Sequence, residues 1–134
     1  MKVNPTGLDS YQPSGELKGD YTLKISEYKD YPQNGSIMVS FIVVDGPQPE
    51  GFRSPLGRKV NDFINVDESR CQEEWQIESL IQRLGDFGTC FGVNPKKGIN
   101  FNDMVGKEGR VSLYPAKKSK KDDTIVTKIK YLTN

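Results

Sequence analysis

Histidine is absent from the 134 residues. With it go the usual general base, the commonest transition-metal ligand and every Ser-His or Cys-His nucleophile pair, which counts against most hydrolase chemistry. The two cysteines, Cys71 and Cys90, lie nineteen positions apart, far from a Cys-x-x-Cys spacing. They read as structural thiols in a reducing compartment. Asp45, Asp62 and Asp67 could in principle serve a magnesium-dependent nuclease. Carboxylates scattered over strand ends are more commonly turn formers and caps, and no clustered acidic motif is present. The chain is therefore read as non-enzymatic, with no cofactor and no metal.

The remaining chemistry lies in rings and cations. A formal net charge of +1 rules out adhesion to polyanions through a bulk field, so the distribution of charge matters more than its sum. Acids concentrate between Asp67 and Glu78, while bases gather at Arg53, Arg58 and Lys59, at Lys96 and Lys97, and in Lys117-Lys118-Ser119-Lys120-Lys121. Phe63 is unusual, because strand alternation puts it on the polar side with Lys59, Asn61 and Asn65, opposite Val60, Ile64 and Val66. Non-specific binding of single-stranded nucleic acid needs cations that follow phosphates and aromatic faces on which unstacked bases rest. On that chemistry Phe63 is the expected platform, supported by Tyr28, Tyr31 and Phe52. Arg53, Arg58, Lys59, Lys117, Lys118, Lys120 and Lys121 are expected on phosphates, with Lys24 joining from the first strand. Lys59 and Asn61 could reach base edges as well. The bland counterpart is a solvated lysine loop and a Phe63 ring packed beneath another loop.

These residues must be positioned by a single domain, since the length suits one core and is too short for two ordinary ones. Hydrophobic residues at 34% and charged residues at 28% fit a soluble globular chain. The longest apolar run, Phe41 to Val44, cannot cross a bilayer, and the first nineteen residues lack the apolar centre of a signal peptide. The expected location is cytoplasmic. Residues 1–18, rich in Gly, Pro, Ser and Asn, read as a loosely packed N-terminal arm ahead of a domain at 19–134.

Within the domain, Tyr21, Leu23 and Ile25 alternate with polar residues as a first strand, a turn at residues 31–35 contains Asn34-Gly35, and Ser36 to Asp45 forms the second. A broken stretch, 46–57, precedes a third strand at 58–66. Ser69-x-x-Gln72 reads as a capping box for a helix whose stripe is Ile77, Leu80, Ile81, Leu84 and Gly88, with Gly85 near its end and Trp75 nearly opposite, expected to fold against the arm. Strands at 110–114 and 124–132 complete the order β-β-β-α-β-β, with the lysine-rich loop between them. The expected fold class is all-β with one helix: an OB-fold, a five-stranded, partly open Greek-key barrel.

Several segments carry a resemblance: Gly19-Asp20-Tyr21-Thr22-Leu23-Lys24-Ile25, Asn34-Gly35 before Ile37 to Asp45-Gly46, Gly57-Arg58-Lys59, Trp75 with Leu80 to Gly85, and Val105-Gly106-Lys107 before Arg110-Val111. From about Gly19 to Leu132 the chain resembles the phage-encoded OB-fold single-stranded-DNA-binding proteins. The resemblance implies single-stranded DNA as partner and a role in phage replication or recombination in the host cytoplasm. Replication or recombination proteins are candidate further partners, and the sequence leaves monomer and homodimer both open. Many replication-type binders recruit partners through an acidic tail. This sequence instead closes on Lys128-Ile129-Lys130-Tyr131-Leu132-Thr133-Asn134, which puts such recruitment in doubt. The rival expectation is a non-catalytic adaptor that holds a replication or recombination enzyme through Trp75, the acidic helix face and the arm.

Overall fold

The computed structural model describes residues 1–133. Its strands are β1 (Gly19–Tyr31), β2 (Ser36–Asp45), β3 (Lys59–Asn65), β4 (Glu108–Lys117) and β5 (Ile125–Tyr131), with helices α1 (Glu74–Cys90) and α2 (Phe101–Met104) between β3 and β4. Every ladder is antiparallel, and the strands form one sheet in the order β3-β2-β1-β4-β5. β1, β2 and β3 form a meander, and the chain returns through the helices to lay β4 beside β1, which is a Greek key. The protein is thus mostly β with one main helix, and its sheet is open: β3 and β5 are edges that no ladder joins among the described residues. No helix among the described residues is long and apolar enough to cross a membrane.

Alternation in the sequence fades after Ser26, which predicts a loop holding Tyr28 and Tyr31. Instead β1 runs on to Tyr31. The pairing shifts between Ile25 and Glu27, so one extra residue enters the strand and the in-out pattern restarts. Ile25 is buried, Glu27 is exposed, and Tyr28 turns inward again. The turn that follows is as expected at Gly35, whose φ of 64° lies in the left-handed region open to glycine. The Gly35 carbonyl accepts the N–H groups of Val66 and Asp67 at 2.9 and 3.3 Å, tying the end of β3 to this turn.

The inner face carries Tyr21, Leu23 and Ile25 of β1, Val39, Phe41 and Val43 of β2, and Val60 and Ile64 of β3, with Val111, Leu113, Ile129 and Tyr131 from the other hairpin. The end of α1 supplies two more rings. Phe91 stacks on Phe41 at 5.6 Å, and Phe87 meets Tyr131 edge-on at 5.4 Å, arrangements that add to simple area burial. One core atom is mismatched: the Tyr21 hydroxyl is buried without a hydrogen-bond partner. Tyr21→Phe removes that polar atom and keeps the ring, so it is expected to hold or raise stability, by about 1 kcal/mol. A thermal melt showing clear destabilisation would mean that the hydroxyl is bonded after all.

Helix α1 departs from its sequence expectation at its start. Ser69 does not open it; its hydroxyl donates to Asp67 Oδ1 at 2.5 Å inside a separate 3-10 turn, Glu68–Arg70. The helix begins at Glu74, where Gln76 Oε1 reaches back to the N–H groups of Gln72 and Glu73 at 2.7 and 2.9 Å. It continues through Gly85 to Cys90. Full burial is confined to its end: Phe87 and Gly88 are buried, Ile77, Leu80 and Leu84 of the expected stripe are half-buried with only Leu84 packed on the core, and Ile81 is exposed. The first half of the helix projects beyond the core. The N-terminal arm is also more attached than its composition suggests. Leu17 is part of the core, and Pro13 and Gly15 accept hydrogen bonds from the 46–58 loop, while residues 1–12 are exposed. Both cysteines are free, and burial pushes the Cys90 thiol up to about 11, leaving it a poor nucleophile at neutral pH.

Candidate nucleic-acid interface

Antiparallel register sorts the outward face of β1, β2 and β3 into rows. Lys24, Ile42 and Lys59 form one, Glu27, Ser40 and Asn61 the next, Lys29, Met38 and Phe63 the third, and Tyr31, Ser36 and Asn65 the last. Five of the residues singled out in the sequence, Lys24, Tyr31, Lys59, Asn61 and Phe63, therefore share one surface. Phe63 is 54% exposed, so it is not packed beneath a loop. Its ring lies 5.7 Å from that of Tyr31, tilted by 54°, and Lys29 Nζ stands 5.2 Å over the Tyr31 ring. A cation that sequence reasoning missed, Lys29, thus borders the Tyr31 ring.

Three of the expected residues are engaged elsewhere. Tyr28 turns toward the core and is half-buried, its ring 5.7 Å from that of Phe101 and its hydroxyl donating to Asn102 Oδ1. Phe52 packs on the arm so closely that a Cβ on Gly15 would come within 3.0 Å of its ring. Arg58 is half-buried, with Nη1 donating to the Gly15 carbonyl at 2.7 Å. Both touch the arm, although Phe52 keeps 39% of its surface exposed. Arg53 keeps an exposed side chain, while its backbone N–H donates to the Pro13 carbonyl at 2.9 Å. This loop sits at the Lys59 end of β3, four residues and roughly 13 Å along the strand from Phe63.

The tip joining β4 to β5 is a folded turn. Ser119 Oγ accepts the N–H groups of Lys121 and Asp122 at 3.3 and 3.0 Å, and Asp122 Oδ1 accepts that of Thr124 at 2.9 Å. The hydrogen bonds from Thr124 hold the Asp122 carboxyl below its ordinary value. Lys117, Lys118, Lys120 and Lys121 are all exposed, with Lys117 Nζ 3.1 Å from Asp123. Of the four ammonium groups one is ion-paired, and the other three remain to act on a polyanion.

Between the sheet edges lies a cleft of about 800 Å3. Phe63 and Asn65 of β3 line one wall, Tyr114, Ala116 and Lys128 of the β4–β5 hairpin the other, and Trp75, Ser79 and Arg83 of α1 span the gap. The lysine tip begins one residue beyond Ala116. Asp62 stitches the seam shut at depth: its Oδ2 accepts from Arg83 Nη2 at 2.7 Å and from the Tyr131 hydroxyl at 2.6 Å, which links β3, α1 and β5. Burial opposes the Arg83 charge, but the Asp62 carboxylate more than offsets it and raises the guanidinium above its ordinary value. Trp75 is 64% exposed and Tyr114 43%, so three accessible rings border this cleft.

Sequence reasoning placed Trp75 on the arm. It stands on the seam instead, because the first half of α1 extends past the core. Arg70, Tyr114 and Lys128 were missed entirely. Outward parity on β4 and β5 could have flagged the last two, which are cross-strand partners. Asp62 and Asp67 are occupied by Arg83, Tyr131 and Ser69, and among the described residues no three His, Cys, Asp or Glu side chains are placed to share a metal ion. The chain matches no protein-family model, and a search of curated proteins finds no match.

Proposed function

We propose that this chain is a non-catalytic, single-stranded-DNA-binding protein of the OB-fold type, acting in phage replication or recombination in the host cytoplasm. One observation carries the proposal: an exposed phenylalanine, Phe63, on the outward face of β3, beside Tyr31 and on the same strand and face as Asn61 and Lys59. An exposed ring among amide and ammonium groups offers the face on which an unstacked base can rest while its phosphates meet the cations. The OB-fold reading is supported by the Greek-key order, by the helix between β3 and β4, and by the Asp62–Tyr131 hydrogen bond that draws the two sheet edges together. In that fold the second and third strands and the flanking loops form the binding surface, which here means the Phe63 face and the lysine tip.

The test is a titration of labelled oligonucleotides, single- and double-stranded, at two salt concentrations. Single strands are expected to bind more tightly, with affinity falling as salt rises. Replacing Lys117, Lys118, Lys120 and Lys121 with alanine should reduce the slope of log affinity against log salt by about 2–3, at roughly 0.7 per phosphate contact. The adaptor reading is favoured by Trp75, exposed beside Glu74 and Glu78. No binding of any oligonucleotide at low salt would leave that reading in place of this one.

A further inference from the structure

The single tryptophan, Trp75, is distant in sequence from the strand face described above, yet it borders the same cleft as Phe63. We infer that this seam cleft is a base-holding subsite, in which one unpaired base of the bound strand leaves the Phe63 face and lies against Trp75 and Tyr114. The inference rests on the proposal that the chain binds single strands, and it adds where a base is held.

Continuity comes first. Phe63 belongs both to the outward face of β3 and to the cleft wall, so a strand stacked on it has a neighbouring base at the cleft mouth. Trp75 and Tyr114 also line a second, adjoining cleft of about 620 Å3, which places them where the two depressions meet. Both rings are accessible, and both are large planar surfaces of the kind on which bases stack regardless of sequence.

Charge then decides which part of a nucleotide can enter. With Arg83 paired to Asp62, the first cleft is lined by Arg70 and Lys128 against Asp67, a surplus of one positive charge, whereas the second has Glu78 and Asp86 against Lys130, a surplus of one negative charge. A phosphate is attracted to the first and repelled by the second. A base, being uncharged, can reach the rings where the clefts meet while its phosphates stay on the β3 side. Arg83 does not compete for those phosphates, since Asp62 already holds it. The arrangement excludes paired bases, because a duplex keeps its base faces covered.

The experiment uses the full chain and reads two signals from one titration: anisotropy of an end-labelled, unstructured deoxyoligonucleotide, and emission of Trp75 under selective tryptophan excitation. An abasic oligomer of equal length supplies the phosphates without the bases. The base-bearing strand is expected to bind and to change Trp75 emission, and the abasic strand to bind more weakly and leave that emission unaltered. Trp75→Ala should weaken the base-bearing strand by about 5- to 150-fold, leave the abasic strand unchanged, and be largely rescued by Trp75→Phe. Trp75 is exposed, so its replacement does not open the core. If the base-bearing strand binds but Trp75 emission and the Trp75→Ala affinity do not move, the subsite is wrong and the strand-binding proposal stands. If neither strand binds at low salt, both fall together.

Discussion

Phe63→Ala is expected to weaken binding of an unstructured deoxyoligonucleotide by about 5- to 150-fold, the equivalent of ~1–3 kcal/mol for one lost base stack. The loss should appear at low and high salt alike, because stacking does not depend on counterion release, whereas removing the tip lysines should act mainly on the salt slope. Folding should be nearly intact. Phe63 is more than half exposed, and its one aromatic neighbour, Tyr31, meets it at a tilt of 54° and 5.7 Å, a contact worth on the order of 1 kcal/mol. Phe63→Tyr keeps a ring of similar shape and should retain most of the affinity. Competition binding on all three proteins decides the matter. Equal affinity for wild type and the alanine variant would remove Phe63 from the interface and leave its exposure without an account.

A second large effect is expected at Asp62. Its carboxylate is the shared acceptor for Arg83 and Tyr131, with side-chain exposures of 16% for Asp62 and 40% for Arg83. Asp62→Ala strands a partly buried guanidinium and a buried hydroxyl together. Full burial of such a pair makes the loss of one partner cost ~3–5 kcal/mol, and partial exposure of Arg83 brings the expectation to about 2–4 kcal/mol, or a fall in Tm of roughly 10 °C. Tyr131→Phe removes only one of the two bonds and should cost about 1 kcal/mol. Denaturant melts of both variants test the nesting: if Asp62→Ala costs no more than Tyr131→Phe, the carboxylate is not what holds β3 against α1 and β5.

The same network sets the response to alkali. Deep burial, and after it the Asp62 carboxylate, raises the Tyr131 hydroxyl well above the ordinary tyrosine value. As pH passes about 10, the unfolded chain loses this proton while the folded chain keeps it. The unfolded state then binds fewer protons, so stability falls with rising pH from that point. Tyr131→Phe should flatten that part of the pH–stability curve.

Legibility in the sequence differed between elements for identifiable reasons. The outward placement of Lys59, Asn61, Phe63 and Asn65 followed from strict alternation over seven residues, since a strand has only two faces and Val60 and Ile64 had to take the inner one. Gly35 was legible because a tight turn needs a positive φ. Tyr28 was misplaced because the bulge after Ile25 is a pairing event, which local alternation does not record. The start of α1 was misplaced because Asp67 and Gln76 compete with Ser69 and Gln72 for the same backbone donors, and the winner depends on where β3 releases the chain. The contacts of Arg58 and Phe52 with the arm were not legible because nothing in their own segment shows that the arm reaches them.

By itself the sequence determined the strands, the single main helix, the polar face that carries Phe63 and the lysine tip, because each follows from periodicity or turn chemistry within a dozen residues. Only the tertiary structure decided that the sheet stays open between β3 and β5, that Asp62, Arg83 and Tyr131 bridge that opening, and that Trp75 and Tyr114 meet Phe63 around one cleft. The physical reason is range. Asp62 and Tyr131 are 69 positions apart, and what brings them together is burial of the shared core, to which every strand contributes and which no local pattern encodes.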